Sequence, residues 1–73
     1  MLSDHDVAEK VMNLMKSIGE QLNQSLIDLQ GTISEEEYAA YRRGVACIMA
    51  EMLINVENPI SDHHPDLRWY DET

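Results

Sequence analysis

The stretch Gly31-Thr32-Ile33-Ser34-Glu35-Glu36-Glu37-Tyr38 decides the fold. Ser34 is placed to accept a hydrogen bond from the backbone N–H of Glu37, and the Glu37 carboxylate to reach back to Ser34. That reciprocal pattern marks a helix start. Ile33 before the cap and Tyr38 after it are positioned as a hydrophobic staple. Gly31 suits the left-handed conformation that closes the helix before. One helix stops and another starts within a few residues, so the chain is expected to fold as an antiparallel helical hairpin.

Upstream of the turn, Val7, Val11, Leu14, Ile18, Leu22 and Leu29 recur at helical spacing, and Met15 and Leu26 widen the stripe. The spacing predicts a helix over about residues 5–29, capped by Ser3 or Asp4, roughly 37 Å long. Downstream, Tyr38, Tyr41, Val45, Ile48, Met49, Met52, Leu53 and Val56 form a second stripe. The second helix is expected over about 35–57, because the residue before Pro59 is disfavoured in helical geometry. Residues 30–34 make the turn. Residues 59–73 hold both prolines and read as an extended, irregular C-terminal tail.

Pairing the helices about the turn matches residues whose numbers sum to roughly 63, which brings the two apolar stripes into register. The second stripe spans about 140° of its helix, wider than one neighbour covers. Met12, Ile27 and Ile54 fall outside the main seams. The surplus apolar surface predicts self-association, most simply a twofold dimer forming a four-helix bundle. Val11, Leu14, Ile18, Leu22, Val45, Ile48, Met49 and Met52 are its expected core. Gly19 and Gly44 lie mid-helix and pair by the same register, as a close-packed waist or a small ligand cavity.

Length and charge narrow the function. A chain of 73 residues is at most one domain, and its core needs reinforcement. With one cysteine, no internal disulfide forms. Cys47 is expected to pack as a small hydrophobe. With 14 acidic and 5 basic residues the net charge is −9, which disfavours nucleic acid and anionic membrane as partners. The acidic start lacks a signal-peptide pattern, no run is long enough to span a membrane, and a cytoplasmic protein is expected.

No catalytic constellation stands out, and no cofactor or metal is expected. His63 and His64 are adjacent, so their rings diverge rather than share an ion. Glu35, Glu36 and Glu37 are accounted for by the helix dipole. The residues singled out for binding another protein are Leu67, Arg68, Trp69 and Tyr70 in the tail, and Tyr38, Tyr41 and Arg42 near the turn, because aromatic residues and arginine dominate binding hot spots. Leu67 and Trp69 have an alternative use, covering an open end of the bundle. Arg42 and Arg43 are expected to pair with Glu20 or Asp28. The sequence reads as a non-catalytic, homodimeric interaction module: an adaptor, a regulator or an assembly subunit. The alternatives are an acidic mimic of nucleic acid that inhibits a basic protein, and a bundle that binds a small ligand or metal.

Overall fold

The computed structural model describes residues 1–69, and they are all helix and turn. Helix α1 runs His5–Leu29 and α2 Glu35–Met52. A π-helical turn, Leu53–Glu57, leads directly into α3, Asn58–His63, and a 3-10 turn follows at Pro65–Leu67. The hairpin is a rod of 45 × 21 × 17 Å.

The turn forms by the expected chemistry, with one change of partner. The Glu37 N–H donates to Ser34 Oγ at 3.1 Å. The Glu37 carboxylate accepts from the Ser34 hydroxyl at 3.2 Å rather than from its backbone N–H. Gly31 has φ +84°, where a Cβ would be strained. At the other end of α1, Asp4 is the cap, accepting from the Val7 N–H at 3.1 Å. Two tyrosines then set the pairing of the helices. The Tyr38 hydroxyl donates to the Leu26 carbonyl at 2.9 Å. Tyr41 meets Ser25 Oγ at 2.6 Å, and Ser25 gives its single hydroxyl proton to the Leu22 carbonyl, so Tyr41 is the donor.

The expected end at Pro59 is not where the helix stops. Asn58 stays helical at φ −64°, ψ −47°, and its N–H reaches back five residues to the Leu53 carbonyl. A π turn carries one more residue than an α turn. Proline has no N–H to lose in the first turn of the segment that follows. The preference of a pre-proline residue is a bias that packing overrides here. At the next proline it holds: His64, before Pro65, leaves helical geometry at φ −131°, ψ 78°, and α3 ends there. The segment after residue 58 is therefore not an extended tail as far as Trp69; it continues the second arm. Tyr70 lies outside the described residues.

The extra residue in the π turn sets every later side chain back by about 100° around the axis. Ile60, four residues after Val56 and seven after Leu53, faces inward with or without that rotation. Ile60 and Ala8 are fully buried, and Met12 is 2% exposed. Val11, Val56, Leu2 and Leu67 pack around these three. The main core thus sits at the end of the rod away from the turn, and Met12, expected off the seam, is at its centre. The reason is directional: α2 and α3 lie to one side of the α1 stripe, towards Ala8, Met12 and Gly19, not over its middle. Ile27 and Ile54 are exposed, as expected.

Of the eight expected dimer-core residues, Val45 is buried within the single chain, Val11, Ile18, Leu22, Met49 and Met52 are half-buried, and Leu14 and Ile48 are exposed. The two mid-helix glycines do not form a waist together. Gly19 is buried, and a Cβ there would lie 3.8 Å from Met49 Cε, whereas Gly44 is exposed and faces open space. Cys47 is exposed rather than packed.

Substituting Met12 by Ala should therefore cost about 2–4 kcal/mol in urea unfolding followed by helical circular dichroism. Substituting exposed Ile54 by Ala should cost under about 0.5 kcal/mol. Equal effects would show that the core is not centred on Met12.

Candidate functional site

The hairpin has two dissimilar sides. On one, Val7, Leu14 and Ile18 share a face of α1 with Ser25, and the Ser25–Tyr41 hydrogen bond joins that face to the face of α2 that holds Tyr41 and Ile48. Val7 is 44%, Leu14 53% and Ile48 49% exposed, so this side carries a row of exposed apolar side chains on both helices.

The other side is concave. Met15 and Gly19 of α1, Met49, Ala50 and Met52 of α2, Leu53 and Glu57 of the π turn, and Trp69 line a groove of about 450 Å³. Its surface is apolar except at Glu57. Gly19 forms part of the floor because it carries no side chain to fill the space. Glu57 is only 5% exposed. No hydrogen bond or ion pair reaches its carboxylate among the described residues. Burial alone pushes its pKa up from the ordinary 4.5. Counting at 100° per residue puts Glu57 off the apolar stripe. The π turn rotates it in, which is why sequence reasoning passed over it.

A second hollow of about 440 Å³ lies near the turn, lined by Gln30, Gly31, Ile33, Glu35, Tyr38, Ala39 and Arg42. Tyr38 and Arg42 thus share one site. Tyr41 does not join them; it lies on the apolar-row side. Both tyrosine hydroxyls are engaged in holding the hairpin. No ion pair joins Arg42 or Arg43 to Glu20 or Asp28 among the described residues; Asp28 instead accepts from Gln24 Nε2 at 2.9 Å.

The candidate residues near Trp69 divide in the same way. Leu67 packs onto the core of Ala8, Met12 and Ile60. Arg68 donates to Ser61 Oγ at 3.0 Å and lies 3.8 Å from the Asp62 carboxylate. Trp69 lines the groove and is 41% exposed. Leu67 and Arg68 thereby fasten the segment that brings Trp69 into position. They sit at the opposite end of the rod from Tyr38 and Arg42, so the two groups are separate patches.

The three histidines gather where α1 begins. His5 Nε2 lies 2.7 Å from Asp66 Oδ2. The His64 ring stands edge-on to His5 at 5.2 Å and to His63 at 4.8 Å. His64 Nε2 contacts the Leu2 carbonyl at 2.8 Å, which Leu2 presents from a left-handed backbone at φ 58°. The hydrogen bond to Asp66 raises the His5 pKa above 6.5, aided by the charges of Asp66, Glu9 and Asp6 and opposed by slight burial. The same bond lowers Asp66 below 3.8. The His5 share of this joint is complete below pH 6.5 and is lost as pH rises through its raised value. The Asp66 share is complete above 3.8 and is lost as pH falls. His5, Asp6 and Glu9 each offer one ligand atom within 4.8 Å of the others, but all three are exposed.

A buried carboxyl with a raised pKa stabilises the fold fully below its unfolded value and loses that contribution as pH rises through the folded value. Glu57→Gln should therefore raise the thermal midpoint at pH 7, and the gain should vanish near pH 4. A lowered midpoint at pH 7 would mean that the charged carboxylate has a partner that stabilises the fold.

No helix among the described residues is long and apolar enough to cross a membrane. No protein-family model, characterised protein or solved structure matches this chain.

Proposed function

We propose that the chain acts by binding and not by catalysis: it pairs with a second copy through the row of Val7, Leu14, Ile18, Tyr41 and Ile48, and the resulting four-helix bundle serves as an interaction module for another protein. The carrying observation is that row, left uncovered by the chain's own folding.

Magnitudes favour this reading. The chain exposes 5174 Å². A compact monomer of 8.4 kDa exposes about 4600 Å². The excess, several hundred Å², is of the order that one partner contributes to a standard interface. Among the described residues only Ala8, Met12, Val45 and Ile60 are buried hydrophobics, too few to sustain a small domain comfortably. A twofold axis beside Leu14 and Ile48 would bury the same row from both copies, which is the self-complementary contact a C2 dimer requires. Each hairpin would keep its groove and its turn-end hollow on the far side. Met-lined surfaces adapt to varied partners, and a net charge of −9 favours a basic one.

Sedimentation equilibrium tests the pairing. The wild-type chain should have twice the mass of one chain at tens of micromolar. Leu14→Asp and Ile48→Asp should each halve that mass while leaving the helical signal largely intact, because both positions are exposed in the single hairpin. A wild-type monomer at those concentrations would defeat the proposal.

A further inference from the structure

The groove opposite the apolar row contains an arrangement that the dimer does not use. Glu57 is 5% exposed as a residue, and among the described residues nothing donates a hydrogen bond to its carboxylate, whose oxygens keep a small accessible edge where Glu57 lines the groove. Partial removal of a carboxylate from water disfavours its charge. Two things relieve that cost beyond the water at this edge: a proton, or a cation brought into the groove. A neutral apolar guest would cover the carboxylate further and raise the cost. An anion would add repulsion. A guest with an apolar body and one N–H-bearing cation satisfies both the walls and the carboxylate.

We propose that this groove is a binding site for a small organic monocation, a primary ammonium on an aliphatic or aromatic body, with Glu57 pairing with the ammonium. The methionine walls at Met15, Met49 and Met52 are polarizable and conform to irregular apolar shapes. Trp69 lines the same space, and an indole ring is the side chain that attracts cations most strongly. The groove, about 450 Å³, lies within the range of small-molecule sites. A free amine suits it better than a lysine side chain from a protein. Lysine has only four methylenes before its polar backbone begins, and among the described residues the groove's other lining side chains, from Met15 to Leu53, are apolar.

Trp69 is the only tryptophan, so its fluorescence reports on this groove. Titrations with n-octylammonium chloride, n-octanol, sodium octanoate and Nα-acetyl-lysine amide at pH 7.5 and 150 mM salt decide the matter. The salt suppresses non-specific attraction to the acidic surface. Octylammonium should bind saturably, about tenfold more tightly than octanol, as one charge-assisted hydrogen bond implies, and octanoate more weakly still. Glu57→Gln, which keeps the shape, should bring octylammonium and octanol within about twofold. Gly19→Leu, which grows a side chain from the floor, should abolish binding of both without loss of helical signal. Leu14→Asp should leave binding unchanged, which separates this site from the dimer. Equal affinity for octanol and octylammonium in the wild type would overturn the proposal. So would a preference that survives Glu57→Gln, or no saturable binding at all. Acetyl-lysine amide binding as tightly as octylammonium would assign the site to a protein's lysine and overturn it as well.

Discussion

The π turn at Leu53–Glu57 is the feature on which the rest of this structure depends. The second arm has to pass Pro59 and still present apolar residues to α1. An uninterrupted α-helix fails at the first: the proline ring meets the carbonyl four residues back. One extra residue in the turn moves the backbone bonds to a five-residue reach, seen from Asn58 to Leu53. Ile60 stays on the inner face and packs on Ala8 and Met12. The same rotation brings Glu57 onto that face, where the residue is 5% exposed. The continuation of the arm past Pro59 and the burial of Glu57 follow from one backbone irregularity.

Placing the core at that end has consequences along the rod. Near the turn, two tyrosine hydroxyls hold the helices by hydrogen bonds to Leu26 and Ser25. In the middle, Val45 is the one fully enclosed apolar side chain of α2. The α1 stripe is wider than the contact with α2. One edge goes to Ala8, Met12 and Gly19, and the opposite edge, Val7, Leu14 and Ile18, is left over. A glycine on the covered edge keeps a groove open, and a methionine-rich wall lines it. The hairpin is thus two-sided: one side with exposed apolar residues on both helices, and a hollow side on which Glu57 is the one charged residue lining the groove.

The turn was legible in the sequence because its determinants are local. Gly31, Ser34 and Glu37 act within a few residues of one another, and the hydrogen bonds they make follow from their chemistry. The register of the hairpin was legible for a related reason, since a short turn leaves little freedom in pairing. Pro59 was misleading because its effect is a local bias, and a long-range contact, Ile60 on Met12, outweighs it. Met12 was misplaced because the stripe was centred on its most hydrophobic line, whereas α2 packs to one side. Glu57 went unnoticed because a π turn leaves no mark in the residue pattern. The grouping of Tyr41 with Arg42 was avoidable: neighbours on a helix are about 100° apart, and here Arg42 lines the turn-end hollow while Tyr41 bonds Ser25.

The whole arrangement depends on the segment past Pro59 packing back onto the start of α1. Methyl-labelled nuclear Overhauser spectroscopy reads this directly. The Ile60 methyls should show strong cross-peaks to the Ala8 and Met12 methyls, and the Asn58 amide should show the slow exchange of a hydrogen-bonded helical group. Absence of those cross-peaks, with an Asn58 amide exchanging at the rate of an unprotected chain, would contradict it.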